Sequence, residues 1–248
     1  MGGILVTGGT GNLGAQVVTR LREAGHEDVR VLSRHAPVHP VDLLDGTGLD
    51  AAMAGAEVVV HCATATRGGD EVAAGHLIEA ARRAGTVQNL VYISIVGVDV
   101  VPLGYYRSKL AVERLLEASG LGVTILRTTQ FHDLVARVSG TAAKLPVVLL
   151  PKGVRVQPIA AEEVADRLAE LATAEPAGRV PDMGGPETLL LTDLGRTYLA
   201  ARGVHRRVVP LPLAGKAYAG FVRGGNLAPA HAVGKQTFAE FLAGRGAG

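Results

Sequence analysis

Short apolar runs alternate with longer amphipathic stretches through roughly the first half of the chain. Continuous apolar character predicts buried strands at residues 4–7, 29–32, 58–62, 90–95 and 123–127. A further short strand is predicted just before Asp42. Runs without polar alternation are typical of a sheet that is covered on both faces.

Between these strands, apolar residues recur with the spacing of a helix. Leu13, Val17 and Leu21 form one stripe along a helix predicted over residues 12–24, which Gly25 ends. The same pattern predicts helices over residues 70–84, 105–119 and 161–172. Because strands and helices alternate, we expect parallel pairing through right-handed crossovers. The chain is therefore predicted to be an α/β protein with a doubly wound parallel Rossmann sheet.

The pattern changes in the last third of the chain, where proline and glycine become frequent. Helix starts are predicted at Thr192 and at Thr237, which forms a capping box with Glu240. We interpret residues 1–150 as the Rossmann core. Residues 151–248 are predicted to form a small C-terminal α/β lobe of the same domain, packed over the carboxyl edge of the sheet on the substrate side.

Composition and charge exclude several classes of protein. With 48% hydrophobic residues in 248, the chain can bury a sizeable core, so a disordered chain is excluded. A formal net charge of +2 gives no electrostatic reason to expect nucleic acid or an anionic membrane as the main partner. We expect a cytoplasmic protein, because the single cysteine, Cys62, forms no internal disulfide and no signal peptide or membrane span is evident.

A glycine-rich loop follows the first predicted strand and opens the first predicted helix. Glycines allow a tight turn and let the backbone approach a pyrophosphate, while the helix directs its N–H groups and positive dipole end at the anion. This position between a strand and a helix is the context that supports a dinucleotide-binding loop. The predicted contacts are Gly8, Gly9, Thr10, Gly11, Asn12, Leu13 and Gly14.

The end of the second strand indicates which dinucleotide is bound. An NAD-preferring site places a carboxylate about 20 residues after the loop, but Arg34 stands there, preceded by Ser33. A guanidinium suits a 2′-phosphate, so we favour NADP(H) over NAD(H), the alternative being that Arg34 is a solvated loop cation. Residues after the third and fourth strands are expected near the adenine: Asp42, Leu43, Cys62, Ala63 and Thr64.

Tyr105 and Lys109 are the candidate catalytic pair. They are four residues apart on a predicted helix, so both project from one face, whereas the neighbouring Tyr106 is out of phase with the lysine. An ammonium nearby lowers the pKa of a tyrosine from its ordinary value of about 10, and Lys109 is also placed to hold the nicotinamide ribose. Ser94, at the end of the most apolar strand, is predicted to bind a substrate carbonyl.

These motifs together resemble the short-chain dehydrogenase/reductase superfamily, in particular its atypical NmrA-like, NAD(P)H-binding branch, which is similar to nucleoside-diphosphate-sugar epimerases. The resemblance is carried by residues 7–14, 34, 92–99, 105–109, 126–132, 157–159 and 233–238. It implies that Tyr105 is the acid/base, that Lys109 tunes it and that Ser94 orients the substrate. Some members of this branch lack the tyrosine and act as redox sensors.

The other candidate residues carry weaker signals. Gln130 and Phe131 are predicted to line the substrate pocket, while His132 and Asp133 fit either a pocket pair or a packed histidine beside a helix-start aspartate. The histidines have no metal-ligand spacing, so no metal is expected. A Gly-x-Ser-x-Gly elbow is absent from the sequence, which argues against an α/β-hydrolase.

The sequence therefore predicts an oxidoreductase that reduces a small carbonyl or quinone-like compound by hydride transfer from NADPH. The small molecule is the expected partner, and both a monomer and a homodimer are compatible with the sequence. Two alternatives stay open. One is a non-catalytic NADP(H) sensor, and the other is a redox-neutral epimerase or isomerase that retains its dinucleotide.

Overall fold

The computed structural model describes residues 2–34, 36–64 and 68–245. Helices and strands alternate through the first part of the chain. The strands are β1 (Gly3–Thr7), β2 (Val29–Ser33), β3 (His39–Pro40), β4 (Ala56–His61), β5 (Asn89–Ile95), β6 (Val123–Thr128), β7 (Val147–Pro151), β8 (Arg155–Val156), β9 (Gly178–Arg179), β10 (Leu189–Leu190) and β11 (Arg207–Leu211). The α-helices are α1 (Asn12–Glu23), α2 (Leu49–Met53), α3 (Asp70–Ala84), α4 (Gly104–Glu117), α5 (His132–Ala142), α6 (Ala161–Ala172), α7 (Leu191–Ala201), α8 (Lys216–Val222) and α9 (Phe238–Gly244).

The central sheet has the strand order β3-β2-β1-β4-β5-β6-β9 and is mostly parallel. Its first six strands follow the order of a dinucleotide-binding fold, with the reversal between β1 and β4. Helices α1 and α6 pack against each other, while α3 packs against α2 and α4. This arrangement confirms the predicted doubly wound Rossmann fold, and the helices at Asp70–Ala84 and Ala161–Ala172 have the predicted bounds.

The described chain divides into two compact units that alternate along the sequence. The first takes in the chain up to Ser94 together with Gly104–Arg127 and Ala161–Pro181. The second takes in Ile95–Leu103, Thr128–Ala160 and the chain from Asp182 onward. This division differs from the predicted boundary after residue 150.

Asn89 shows why the chain returns to the first unit after residue 160. The Asn89 amide donates to the carbonyl oxygens of Leu171 and Ala174, at 3.1 and 3.2 Å, and its Oδ1 accepts from Thr124 at 3.0 Å. Strand β9 then pairs with β6 at the sheet edge. These long-range contacts fix α6 and β9 to the sheet, and helical periodicity in the sequence gives no sign of which surface a helix covers.

The second unit has its own apolar core, formed by Val135, Val156, Leu194, Phe238 and Phe241 with their neighbours. Strand β8 pairs with β10 antiparallel, and β7 pairs with β11 parallel. The capping box of α9 is present as predicted, with the Thr237 hydroxyl accepting from the Glu240 N–H. Helix α7 begins at Leu191 rather than at Thr192, because Thr192 is buried inside the first turn instead of capping it.

His132 and Asp133 have structural contacts in this second unit. The His132 ring is buried, stacks on Phe241 at 5.0 Å between centroids and lies 3.0 Å from the Gln236 carbonyl oxygen through Nε2. Asp133 stands in the first turn of α5 and pairs with Arg245. Of the two interpretations of this pair, a packed histidine beside a helix-start aspartate agrees with these contacts.

A buried ion pair fixes α4 to the sheet. Arg127 on β6 donates to both carboxylate oxygens of Glu113, at 2.8 and 2.6 Å, and the two side chains are only 5% and 3% exposed. The two-point contact holds α4 in a defined rotation about its axis. This matters for function because α4 also carries the candidate pair Tyr105 and Lys109.

We predict that Glu113→Ala lowers the free energy of unfolding by about 3 kcal/mol, because it leaves the Arg127 guanidinium buried without its carboxylate. Glu79→Ala is the matched control, since it removes an exposed partner of Arg82 and should change stability by less than about 0.5 kcal/mol. Urea denaturation of the two variants measures both effects. Equal losses would show that the buried pair adds nothing beyond a surface pair.

Candidate functional site

The loop between β1 and α1 can accept only glycine at two positions. Gly8 has a φ of 64°, and a Cβ there would lie 2.8 Å from the Ala63 backbone. A Cβ on Gly14 would lie 2.3 Å from the carbonyl oxygen of Gly8. Side chains at either position would therefore push the loop away from β4 or from α1. The loop and the helix approach each other as closely as a backbone cradle for a pyrophosphate requires.

The start of α1 has the electrostatics of an anion site. Gly11 is the N-cap residue in extended conformation, no side chain caps the helix, and the first turn has no acidic residue. Thr10, Gly11 and Asn12 are exposed, whereas Leu13 and Gly14 are buried beneath the loop. The positive end of the helix is thus presented at an exposed loop with no carboxylate in its first turn, which fits the diphosphate of a dinucleotide.

The residues predicted near the adenosine have different surroundings. Ser33 ends β2 half-buried, and Arg34 follows it in an exposed position. The Asp42 carboxylate accepts the Leu44 N–H at 2.9 Å within a turn, and Leu43 packs against the apolar core of the sheet. The structure thus places an accessible guanidinium after β2, while the contacts of Asp42 and Leu43 are those of a local turn and of the core.

Three polar side chains stand in register across neighbouring strands. Thr7 on β1 is opposite His61 on β4, and His61 is opposite Tyr92 on β5, so all three lie on one face of the sheet. The Thr7 hydroxyl is 2.7 Å from His61 Nδ1, and the rings of His61 and Tyr92 stack at 5.3 Å. Burial lowers the pKa of His61 to about 3, so its imidazole is neutral.

Next to this row lies a second cluster, which contains both candidate catalytic residues. Tyr105 and Lys109 project from one face of α4 as predicted, with Lys109 Nζ at 5.7 Å from the Tyr105 ring centroid and 5.1 Å from that of Tyr92. The Tyr105 hydroxyl lies 3.0 Å from Thr64 Oγ1. Thr64 donates to Asp70 Oδ2 at 2.8 Å, and Lys109 Nζ is 3.5 Å from the same oxygen.

The protonation states in this cluster differ from the sequence-based expectation. Burial raises the pKa of Tyr105, and the Asp70 carboxylate raises it too, while the hydrogen bond between Tyr105 and Thr64 opposes both. The expectation that Lys109 lowers the tyrosine pKa toward neutrality is therefore wrong for this arrangement, because burial is the largest influence on that pKa and the Asp70 charge adds to it. Burial lowers the pKa of Lys109, and its pairing with Asp70 opposes that effect.

Ser94 and Tyr92 contribute two buried hydroxyls at the end of β5. They are two residues apart on the strand and face the same side of the sheet. Among the described residues, neither Ser94 Oγ nor the Tyr92 hydroxyl has a hydrogen-bond partner. An unpaired buried hydroxyl is costly, so these two groups are suited to receive a polar ligand atom.

Cys62 and Ala63 follow β4, and their contact with a cofactor stays a prediction. The Ala63 N–H donates to the Thr7 hydroxyl at 3.3 Å. Burial raises the pKa of the Cys62 thiol to about 12, so the thiol is uncharged at neutral pH. Tyr106, the neighbouring tyrosine that is out of phase with Lys109, is buried in the protein interior.

Gln130 and Phe131, predicted to line the substrate pocket, belong to the second unit. The Gln130 side chain accepts from Asn226 Nδ2 at 3.3 Å, and Phe131 is the N-cap residue of α5. Their role in binding a substrate stays a prediction. Among residues 2–34, 36–64 and 68–245, no group of three or more potential metal ligands is found, and no helix is long and apolar enough to cross a membrane.

Sequence reasoning missed Asp70, His61 and Tyr92 as site residues. Asp70 has the sequence signature of an acidic residue in the first turn of a helix, which needs no functional explanation. His61 stands next to the end of a predicted strand and Tyr92 lies within the next one, so polar side chains in otherwise apolar strands were the available signal. Parallel neighbours with polar side chains at the same edge lie side by side in an open α/β sheet, where ligands bind.

Comparisons with solved structures agree on the fold. An NADPH-dependent quinone oxidoreductase from Escherichia coli, complexed with NADPH, superposes with a TM-score of 0.84 at 20% identity over 98% of this chain and 99% of that one. A nucleoside-diphosphate-sugar epimerase from Staphylococcus aureus gives 0.80 at 18% identity over 97% and 99%. The triphenylmethane reductase of Citrobacter sp., complexed with NADP(H), gives 0.77 at 16% identity over 98% and 99%.

Curated relatives match over a smaller share of this chain than the solved structures do. A chloroplastic divinyl chlorophyllide a 8-vinyl-reductase from Oryza sativa is 27% identical over 85% of this chain. An uncharacterized protein of Mycobacterium tuberculosis is 41% identical over 68 residues, or 24% of this chain. The chain spans 61% of the length of the rice protein and 8% of the mycobacterial one.

A family model described as NAD(P)H-binding matches residues 8–175. The match begins in the glycine loop and takes in Arg34, Thr64, Asp70 and Tyr105. The match confirms the NAD(P)H-binding character that the sequence motifs indicated, and the solved structures show that the fold is shared. Because the match covers more than half of the described sequence, the chain belongs to the NAD(P)H-binding family.

Proposed function

We propose that this protein is an NADP(H)-dependent oxidoreductase that reduces a small carbonyl or quinone-like compound. The observation that carries the proposal is the cluster of Tyr105, Thr64, Asp70 and Lys109 in the unit that holds the glycine loop. The proposal is also supported by the names of two proteins of the same fold, a quinone oxidoreductase and a triphenylmethane reductase, both complexed with the phosphorylated dinucleotide.

The residues present fit that dinucleotide. The loop from Gly8 to Gly14 and the uncapped start of α1 would hold its diphosphate. Ser33 and the exposed guanidinium of Arg34 would bind the 2′-phosphate, because a guanidinium donates two parallel hydrogen bonds to a phosphate. When bound, the reduced nicotinamide supplies a hydride to the substrate carbon.

The chain's own residues supply the proton. Tyr105 is protonated at neutral pH, since burial raises its pKa, so its hydroxyl can donate to the oxygen of the carbonyl as that oxygen becomes an alkoxide. The O–H bond of Tyr105 breaks, an O–H bond forms on the product, and a phenolate remains. The Lys109 ammonium stabilises the phenolate electrostatically. Ser94 would donate to the same carbonyl oxygen and orient it.

We predict that Tyr105→Phe lowers kcat by about 100-fold or more, because it removes the proton donor and little else. Binding of NADPH, followed by fluorescence, should be unchanged. The measurement is NADPH consumption against a panel of aldehydes, ketones and quinones, with Tyr198→Phe on α7 as the matched control. Full turnover in Tyr105→Phe would contradict the assigned role, and NADPH binding without turnover by the unmodified protein would favour a redox sensor.

The pH dependence of the same reaction has a defined sign. The reduction needs Tyr105 protonated, and its pKa is raised above the ordinary value of about 10. We therefore expect kcat/KM to show no loss from deprotonation of Tyr105 between about pH 7 and pH 9, and to fall only in more alkaline solution. A descending limb centred near neutrality that disappears in Tyr105→Phe would show that the tyrosine pKa is lowered instead.

Cofactor preference tests the other half of the proposal. Arg34→Ala should weaken NADPH binding by about 10- to 100-fold and leave NADH binding unchanged, because only NADPH carries the 2′-phosphate. Arg196→Ala, which removes an exposed guanidinium of α7, is the control. Titration of each variant with both nucleotides gives the dissociation constants. Equal weakening for NADH and NADPH would mean that Arg34 does not select the phosphate.

A further inference from the structure

Asp70 is a buried carboxylate at the centre of the cluster that contains Tyr105. It is the first residue of α3, and its side chain is 4% exposed, as is that of Lys109. One oxygen of Asp70, Oδ2, makes both of its contacts in the cluster: it accepts from Thr64 at 2.8 Å and lies 3.5 Å from Lys109 Nζ. The carboxylate therefore joins the ammonium to a hydroxyl that itself reaches the tyrosine.

The direction of each hydrogen bond follows from the number of protons available. An ionised carboxylate only accepts, so the single hydroxyl proton of Thr64 points to Asp70. Thr64 Oγ1 then faces the Tyr105 hydroxyl at 3.0 Å with a lone pair, and Tyr105 must be the donor in that contact. Before any reaction, the chain runs from Tyr105 to Thr64 to Asp70, with Lys109 as the donor at its far end.

When Tyr105 has lost its proton, the direction of donation reverses, and Thr64 becomes the donor to the phenolate. We propose that Thr64 and Asp70 form a proton path that reprotonates Tyr105 from Lys109 after each reduction. The inference rests on the function proposed above, in which Tyr105 gives its proton to the substrate.

Each atom in the path makes and breaks one bond. An N–H bond breaks at Lys109 and its proton binds Asp70 Oδ2. Asp70 passes a proton to Thr64 Oγ1, and the original hydroxyl proton of Thr64 moves to the phenolate of Tyr105. Asp70 ends ionised as it began and Lys109 ends as a neutral amine, which takes a proton from solvent before the next turnover. Burial favours this step, because desolvation lowers the pKa of Lys109 and makes its ammonium a readier donor.

The other titratable groups near Lys109 are either bound to another residue or held in their neutral form. Glu113 is bound at two points by Arg127. His61 is neutral with a pKa of about 3 and contacts Thr7, while the pKa of the Cys62 thiol is raised to about 12. A route from Lys109 to Tyr105 through these groups would need a charged state that their surroundings disfavour. The contacts through Asp70 and Thr64 need none.

Thr64→Val tests the path, because valine keeps the shape of threonine and removes its hydroxyl. We expect kcat to fall by about 10-fold or more, with KM for the substrate unchanged, and Thr64→Ser to restore turnover. In deuterium oxide the valine variant should slow more than the unmodified protein, since proton resupply then limits the rate. Thr173→Val, an exposed threonine after α6, is the matched control.

A second readout needs no substrate. In protein labelled with ¹³Cζ-tyrosine, the signal of Tyr105 is the one of the 5 tyrosines that Tyr105→Phe removes. Its alkaline titration should move to higher pH in Thr64→Val, because the phenolate loses its hydrogen-bond donor, and return in Thr64→Ser. In Asp70→Asn it should move to lower pH, because a neighbouring negative charge is gone.

The outcomes separate this inference from the proposed function. If Thr64→Val matches the unmodified protein in turnover or in the Tyr105 titration, the path is overturned, and loss of activity in Tyr105→Phe still supports the reductase. If Thr64→Val and Thr64→Ser are equally impaired, the threonine acts through packing and the path is also overturned. Full turnover in Tyr105→Phe overturns both. A selective loss of kcat that serine restores, with the expected change in titration, supports the path.

Discussion

The burial of one ammonium group constrains the whole polar centre of the first unit. Lys109 is almost completely removed from water, and a buried charge is stable only when it is paired and hydrogen-bonded. Asp70 supplies the opposite charge and the Tyr92 ring supplies a cation–π contact at 5.1 Å. Once the carboxylate is fixed there, the hydroxyl of Thr64 is oriented, and through it the hydroxyl of Tyr105. The orientation of the Tyr105 hydroxyl thus depends on the carboxylate that the buried Lys109 ammonium needs as its partner.

Strand register and helix rotation bring these groups together. Tyr92 lies beneath Lys109 because β5 pairs with β4 in the register that also sets Tyr92 beside His61. Helix α4 presents Lys109 to the sheet because Glu113, four residues later on the same helix, is bound to Arg127. Two buried ion pairs thus involve adjacent turns of α4. The pair of Glu113 with Arg127 positions the helix, and the pair of Lys109 with Asp70 sets the electrostatics of the site.

The features that depend on residues close together in the chain could be predicted from the sequence. The glycine loop, the strand and helix pattern and the phase of Tyr105 with Lys109 all depend on residues close together in the chain. Asp70 could not be found in that way, since it reaches the cluster from another helix and a first-turn acid has an ordinary explanation. The raised tyrosine pKa was missed because its largest cause is burial, to which the Asp70 charge adds, and the spacing of Tyr105 and Lys109 reveals neither.

The protonation state of Tyr105 bears on the direction of the proposed reaction. A tyrosine that abstracts a proton from an alcohol must first be a phenolate, and here burial and the Asp70 charge both oppose the phenolate. A tyrosine that donates a proton starts from the neutral form, which these surroundings favour at neutral pH, and the ammonium at the far end of the hydrogen-bonded chain stabilises the phenolate left behind. The arrangement therefore assists reduction of a carbonyl more than oxidation of the corresponding alcohol.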